Sequence, residues 1–533
     1  MNTSNNEKEA HAASKAPGTS TRTSSDLNAS LTSVAKGATI IFGGLIAGNF
    51  LGMVNQIILG RFLGPENYGL FNLSMSVVMI GATICVFGFF GSLPRIIPFH
   101  LKKNERNVVR SVLDFSALFS FSFGTLLAIV LYLMSDRLAV SVFHDPRLAP
   151  ALKVFSFIIP LHGLQQVAQG AIRGFKAAKY EALVFHIGAR IVTISVFLLS
   201  LYVMHRLYGA IVAYITGVLL TGLLAIWLVR KRIFPDYATH PRVPVARSVL
   251  SFSWPLALTG VVFLCVTKTD RLMLGYFLTS TDVGIYSPAV VIASLLDFVN
   301  SAFKYRFLPT VTEYFSRNDM IGLGPLYKST SRWSFMVVFP IFLLILVFPK
   351  EILMLLYGSK YAGGSMALIV LALGIAVNDF SGTSANMLVG GGRTRLNLLC
   401  EVIAAVTNIG LNILLIPAFG IVGAAIATAM SYVTRNISSL TFCYKSYGMH
   451  PYSRKYLNII ASGLAAAAIV AILKHYSPFP WWATMVALGA IFIVFYIAAV
   501  LFSRGLERSD LVIVEAIERK TGRKLDSIKK FVG

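Results

Sequence analysis

The stretch FLCVTKTDRLMLGYFLTSTDVGIYSPA, Phe263 to Ala289, begins as an apolar helix and then sets Lys268, Asp270 and Arg271 into its middle. Each such charge costs roughly 2.5–3.5 kcal/mol at the centre of a bilayer, so three together are a heavy cost unless the protein uses them. On a helix Lys268 and Arg271 lie three residues apart and share a face, with Gly275 four further on. Asp270 points elsewhere and does not simply neutralise both.

This stretch is also a second copy. LGRFLGPENYGLF, Leu59 to Phe71, aligns without gaps to LGYFLTSTDVGIY, Leu274 to Tyr286, at an offset of 215 (275 minus 60). Leu59, Gly60, Phe62, Leu63 and Gly69 recur as Leu274, Gly275, Phe277, Leu278 and Gly284, and Phe71 recurs as Tyr286. YGAIVAY from Tyr208 resembles FGIVGAA from Phe419 at nearly the same offset. Two collinear matches point to a duplication with a period far longer than that of solenoids or propellers.

The chain has 533 residues, of which 56% are hydrophobic and only 13% charged, and long apolar windows alternate with short charged loops. Soluble domains carry far more charge, so the class is an all-α polytopic membrane protein. The net charge of +24 is explained by basic residues gathered in alternate loops, and nucleic acid is not an expected partner. Cys85, Cys265, Cys400 and Cys443 lie singly in apolar runs, which suits buried packing and implies no disulfide framework.

Hydropathy predicts about fourteen spans, near 37–60, 68–92, 111–134, 151–172, 182–204, 208–229, 251–278, 284–308, 332–349, 362–390, 398–417, 421–444, 456–473 and 481–502. The loops after even-numbered spans hold most of the Lys and Arg, for example Lys102, Lys103 and Arg106, or Arg230, Lys231 and Arg232. That bias puts both termini in the cytoplasm of a multi-pass protein of the plasma or inner membrane. Six spans separate the copies, so they share one orientation; parallel repeats imply a two-fold pseudo-axis along the membrane normal and alternating access by rocking.

The domains expected are a disordered cytoplasmic tail (1–35), a first six-helix lobe (36–232), a linker (233–248), a second six-helix lobe (249–445), two extra spans (455–502) and a basic amphipathic tail (503–533).

Two of these segments carry a resemblance. LGRFLGPENYGLFNLSMSV and TDRLMLGYFLTSTDVGIYSPA, with IRGFKAAKY (172–180) and RKTGRKLDSIKK (519–530), look like signature regions of polysaccharide and oligosaccharide flippases of the multidrug/oligosaccharidyl-lipid/polysaccharide superfamily. The resemblance implies two lobes in a V around a central cavity, with the first and seventh helices at its front. It also implies passage of a lipid-linked sugar from the cytoplasmic to the outer leaflet, usually driven by an ion gradient. Additional spans in such proteins form a groove for a polyprenyl tail.

Such a protein makes no covalent bond. It shelters a polyprenyl phosphate or pyrophosphate headgroup, which calls for cations, while polar groups meet the sugars. Lys268 and Arg271 are the first candidates, and the repeat sets Asn55 and Gln56 opposite Asp270 and Arg271. Arg190, one turn beyond His186, is a further cavity cation, with Arg435 a weaker one. The competing reading of these cations is snorkelling to the interface. For coupling to H+ or Na+ the candidates are the intramembrane carboxylates Asp270, Asp297, Asp379 and Glu401; Asn378 beside Asp379 adds oxygen for Na+. No cofactor or resident metal is expected. The partners are the lipid-linked sugar, bilayer lipids and other membrane proteins of polysaccharide assembly.

A phosphate loop GxxxxGK[ST] is missing, against an ATP-driven exporter, and HDPR (144–147) in the outer loops reads as a turn rather than a catalytic cluster. The alternatives that stay open are a multidrug extruder, which predicts twelve spans, a peptidoglycan-precursor flippase, and a membrane scaffold, which leaves the intramembrane charges unused.

Overall fold

The computed structural model describes residues 24–380, 383–453 and 455–502, with side chains from residue 43 onward other than those of residues 263, 265, 266, 302, 305, 306, 501 and 502. The terminal segments 1–23 and 503–533, with the expected amphipathic tail, lie outside the described residues, as does the side chain of Cys265. All regular elements among the described residues are helices.

The first lobe contains α1 (Ser24–Val86), α2 (Phe89–Lys102), α3 (Arg106–Arg137), α4 (Leu148–Ser156), α5 (Ile158–Gly174), α6 (Ala189–Ser200) and α7 (Arg206–Leu228). The second contains α8 (Ala246–Phe277), α9 (Ser280–Ser316), α10 (Met320–Val347), α11 (Pro349–Tyr357), α12 (Ser365–Phe380), α13 (Ser384–Gly390) and α14 (Thr394–Tyr447); α15 (Lys455–His475) and α16 (Trp481–Phe502) follow. The last part of the stretch expected to be a disordered tail, 24–35, is helical. Leu27, Leu31 and Val34 recur there at helical spacing and extend the pattern of the first span.

Two helices pass through the bilayer twice. Gly64 adopts φ 74° in α1 and Gly420 adopts φ 59° in α14, the left-handed region that glycine enters without penalty. The chain folds back at each. The Tyr68 hydroxyl donates to Gln56 Oε1 at 2.8 Å, twelve residues away, and Asn408 donates to Thr428 at 3.3 Å, twenty residues away. In a straight helix those pairs would stand about 18 and 30 Å apart. With two bent pairs each taken as one span, at Leu148–Gly174 and Ala246–Phe277, the described residues make about fourteen passes. Leu118, Leu133, Leu199, Leu223 and Leu414 stay exposed on the outer faces, as lipid contact requires.

The boundaries differ from hydropathy in two places. The second pass is interrupted at Phe87 and Gly88, both with positive φ, before continuing as α2 to Lys102. The ninth begins at Met320, well before 332, because Asp319 caps the helix through the Gly322 amide and the polar turn at its head counts against a hydropathy window.

The two lobes meet along a two-fold pseudo-axis. A β-carbon on Gly69 would overlap the carbonyl of Ser280, and one on Gly284 would overlap the carbonyl of Pro65. Adding 215 to 65 and 69 gives 280 and 284, so the two contacts are the same contact seen from either lobe. α9 starts at this seam with a capping box, in which Thr279 and Asp282 satisfy each other's backbone amides.

The linker is held on the first lobe rather than free. One face of α3 presents Arg106, Arg110 and Asp114 at intervals of four. Arg106 pairs with Asp236 at 2.7 Å, Arg110 donates to the Ala238 carbonyl at 2.8 Å, and Asp114 accepts from Tyr237 and, at 2.8 Å, from Arg242. The last two helices pack on α10: Gly463 lies against Phe339 and Leu343, and Tyr496 donates to the Met336 carbonyl at 2.9 Å.

Candidate functional site: the cleft between the lobes

A cavity of about 480 Å³ lies between α1 (Gly48, Asn49, Phe50, Gly52, Met53, Gln56), Arg190 of α6, and α9 (Val291, Ser294, Leu295, Asp297, Phe298, Ser301). Asn49, Phe50, Ser294 and Ser301 are exposed, so the cavity is open rather than enclosed. It lies about 10–25 Å along the helices from the Gly69–Gly284 seam, at 1.5 Å per residue. Three of the residues singled out in the sequence, Gln56, Arg190 and Asp297, therefore share one space.

Arg190 reaches it through close helix packing. Gly44, Gly48 and Gly52 recur every fourth residue and face Ala182, His186 and Arg190, which also recur every fourth residue. A glycine stripe lets two membrane helices approach backbone to backbone. The π-helix Ala182–Gly188 precedes α6 and sets the register that lays the Arg190 guanidinium over Gly52. His186 is spent on packing against Gly48 and faces Glu181 at 3.9 Å, the carboxylate that pairs with Arg173.

On α8 the chain bends by 51° between Ala246–Val262 and Thr267–Phe277, and the charged turn follows the bend. Lys268 and Arg271 lie within electrostatic reach of each other, and Arg271 lies near Tyr68, Tyr286 and Tyr357. The Arg271 Nε is buried with no hydrogen-bond partner. Among the described residues neither Lys268, Arg271 nor Arg190 has an ion-pair partner. Gln56 accepts from Tyr68, while its neighbour Asn55 is buried with Oδ1 unpartnered.

Asp270 turns away from both cations into the second lobe. Its Oδ1 accepts from Asn408 and Asn412, each at 3.2 Å, and its Oδ2 from Tyr286 at 3.0 Å and Thr428 at 2.5 Å. Asn412 also donates to Asn408 Oδ1 at 3.0 Å, and its own Oδ1 is buried and unpartnered. The four partners come from α9 and both arms of α14, so one carboxylate ties three helices together. No three His, Cys, Asp or Glu converge anywhere among the described residues. The Asp270 carboxylate is instead ringed by the amide and hydroxyl groups of Asn408, Asn412, Tyr286 and Thr428. Amide rotation at Asn408 and Asn412 turns oxygen in place of nitrogen towards the centre.

The other carboxylates gather around Arg435: Asp297 and Asp379 lie within electrostatic reach of each other and of that cation, and Tyr432 lies near both and near Asp270. Asp297 lines the cavity, with Lys304 and Arg435 as charged neighbours. Asp379 is fully buried and accepts from Asn300, whose Oδ1 accepts from Ser334 at 2.8 Å; Oδ2 has no partner among the described residues. Asn378 offers its backbone carbonyl to Asn436 at 2.7 Å. Glu401 pairs with Arg435 at 3.0 Å.

Sequence reasoning missed Tyr286, Asn408, Asn412 and Thr428. The signal available was the Asn408–Asn412 pair, four apart in an apolar run and hence on one helix face. Arg332, fully buried in the middle of α10, was also passed over.

Comparison with known proteins accords with this architecture. "Probable flippase AglR" of Haloferax volcanii is 25% identical over 464 residues, covering 83% of this chain and 90% of that protein. "Probable low-salt glycan biosynthesis flippase Agl15" of the same organism is 29% identical over 202 residues, 37% of this chain and 42% of that protein. Among solved structures, lipid II flippase MurJ in an inward closed conformation superposes with a TM-score of 0.68 at 16% identity, over 91% of this chain and 100% of that one. At that identity the likeness is one of fold. The family model described as polysaccharide biosynthesis protein matches residues 34–315, more than half of the sequence, and the chain belongs to that family.

Proposed function

We propose that this protein is a flippase that carries a lipid-linked oligosaccharide or polysaccharide precursor from the cytoplasmic to the outer leaflet. The observation that carries the reading is that Arg190 lines the cavity between the lobes while Arg271, outside that lining with Lys268 beside it, lies near Tyr68 of the first lobe and Tyr286 and Tyr357 of the second, all three cations without an ion-pair partner among the described residues. An unpaired cation in a membrane domain is costly, and an anionic cargo offsets that cost only while it is bound. In this reading the phosphate or pyrophosphate sits on Lys268 and Arg271. Arg190, Gln56 and Ser294 meet the sugars, and the isoprenoid tail stays in lipid. The relatives named as flippases support the cargo class, and about fourteen passes fit it better than the twelve of a drug extruder.

Inward-to-outward transport needs a driving force, and the Asp270 cluster is the proposed entry point for Na+. A bound cation there would draw in the oxygens of α9 and both arms of α14, and so would couple ion binding to the shape of the second lobe.

Reconstitution into liposomes with a fluorescent lipid-linked oligosaccharide, with and without a Na+ or pH gradient, tests the proposal. Lys268→Ala and Arg271→Ala should each reduce translocation at least tenfold while insertion is unchanged. Unchanged translocation in both variants would remove the cargo assignment.

A further inference from the structure

A cavity of about 470 Å³, within the range of small-ligand sites, lies away from the cleft at the corner where the linker enters α8. Its wall is aliphatic: Ile96 comes from α2, Val108 and Val112 from α3, Val243 and Val245 from the linker, and Val249 from α8. Two exposed rings, Phe99 and Phe252, flank it. Each carries a cation. The Arg95 guanidinium lies 5.3 Å from the centre of the Phe252 ring, and Lys103 Nζ lies 4.5 Å from that of Phe99. Eight residues separate the two cations, about 12 Å along the helix, a span that two long side chains narrow from both ends.

The charge at this corner is left uncompensated by the protein. Residues 95–114 and 230–247 hold ten Lys and Arg against three carboxylates, and all three are engaged. Glu105 faces His100 at 2.6 Å, Asp114 pairs with Arg242 at 2.8 Å and Asp236 with Arg106 at 2.7 Å. Among the described residues Arg95 and Lys103 have no ion-pair partner. To one side of the cavity α8 exposes Trp254 and Leu258 and α3 exposes Leu118 and Phe121, as helices in contact with lipid do; to the other lies the charged, exposed linker. The corner is thus level with the headgroup layer.

An occupant of this corner needs an anionic head and an apolar body. A small soluble anion makes no use of the aliphatic wall, and an uncharged lipid makes no use of the cations. We propose that the corner binds an anionic phospholipid, whose head is met by Arg95 and Lys103 and whose acyl chain lies along Val112, Val245 and Val249. Basic pockets beside membrane helices recognise such heads through this pairing of charge with an adjoining apolar surface. The lipid touches α2 and α3 of the first lobe together with the linker and the start of α8, so it braces the passage from one lobe to the other. Two hydrogen bonds already pin that passage: Ser253 Oγ donates to Ser92 Oγ and the Val243 amide donates to Ser111 Oγ, each at 2.8 Å. The site does not depend on the cargo reading, nor on which leaflet this end of the molecule faces.

Native mass spectrometry of the full-length protein in detergent tests it, with titrations of phosphatidylglycerol and, separately, of phosphatidylcholine with the same acyl chains. The first phosphatidylglycerol should bind about tenfold more tightly than phosphatidylcholine, and Arg95→Gln with Lys103→Gln should cut the preference to about twofold or less. Both side chains are exposed, so this variant changes binding rather than folding. Lys231→Gln with Arg232→Gln removes the same charge from exposed positions outside the cavity and should keep the preference. In the unaltered protein phosphatidylglycerol should slow hydrogen exchange over residues 243–252, and phosphatidylcholine should not. Equal affinity for the two lipids, or unchanged exchange, would overturn the proposal. So would an equal loss of preference in both double variants, which would leave only a diffuse attraction to the basic face. Tighter binding of a polyprenyl diphosphate than of phosphatidylglycerol, lost in Arg95→Gln with Lys103→Gln, would assign the corner to the cargo and overturn it as well.

Discussion

Replacing Asp270 with alanine removes the one acceptor on which four donors from three helix segments converge. The size of the effect is bounded by two scales. Side-chain hydrogen bonds between membrane helices average about 0.6 kcal/mol, so four give about 2.4 kcal/mol. Hydrogen bonds to charged groups in water-soluble proteins contribute about 1.5–3 kcal/mol each, which would exceed 6 kcal/mol for four. The upper figure overstates the loss, because Asn412 keeps its bond to Asn408 and the Thr428 hydroxyl can turn to another acceptor. A destabilisation of about 2–4 kcal/mol is expected.

Asp270→Asn separates the structural role from the ionic one: it keeps the shape and one acceptor oxygen but removes the charge. If the cluster takes Na+, a concentration one hundred times Kd stabilises the wild-type fold by about 2.7 kcal/mol. In a chain of this length that is a rise in Tm of at most about 5 °C. Thermal unfolding of purified protein in NaCl against choline chloride measures it. Wild type should show the Na+ increment and Asp270→Asn should lose it. An Asp270→Ala protein as stable as wild type, or an Asp270→Asn protein that keeps the increment, refutes the reasoning.

Lys268→Met and Arg271→Met should leave Tm unchanged or raised, since each removes an unpaired cation from a membrane domain, even as translocation falls; a large loss of Tm would mean that these cations hold the fold together. Arg435→Ala leaves the Glu401 carboxylate without its partner in a membrane-spanning helix, so it should lower Tm while leaving the flipping rate within about twofold. A flipping defect tenfold or larger would move that pair into the transport path. Asp114→Ala should loosen the linker from α3, seen as faster trypsin cleavage after Arg242 and Arg247. The same change acts on Tyr237, whose hydroxyl is pushed up to about 12 by burial and by its hydrogen bond to the Asp114 carboxylate, both of which favour the neutral form. In Asp114→Ala its titration, followed by ultraviolet absorbance, should shift towards lower pH, and no shift would mean that burial alone sets it.

The fold was largely legible because hydropathy, the alternation of basic loops and the repeat are properties of whole segments. Hydropathy windows blur at element ends, which is why the polar head of α10 at Met320 and the helical turns before residue 37 escaped them. The break at Phe87 and Gly88 left no proline or polar mark, since it depends on a backbone conformation and on Gly88 packing against Ser253 and Ala257 of α8.

The site was legible in part. Cost arguments point to Lys268, Arg271 and Arg190, since a charge stands out against an apolar background, and of these Arg190 lines the cavity. Nothing in the sequence marks Glu401 as the partner of Arg435, a residue thirty-four positions away (435 minus 401). The Asp270 cluster assembles from α8, α9 and both arms of α14, and its uncharged members Tyr286 and Thr428 raise no alarm in a hydropathy count. The repeat predicts a two-fold pseudo-axis, but which of its glycines pack on the opposite lobe depends on contacts that the sequence does not carry.

The most direct check on the central claim is binding at the cleft, measured with purified protein in nanodiscs titrated with a polyprenyl diphosphate and, separately, with the uncharged polyprenol of the same length. The account predicts that the diphosphate binds at least tenfold more tightly, and that the preference disappears in the Lys268→Met, Arg271→Met double variant. Equal affinity for the two lipids in the wild-type protein, or a preference that survives the double substitution, would contradict it.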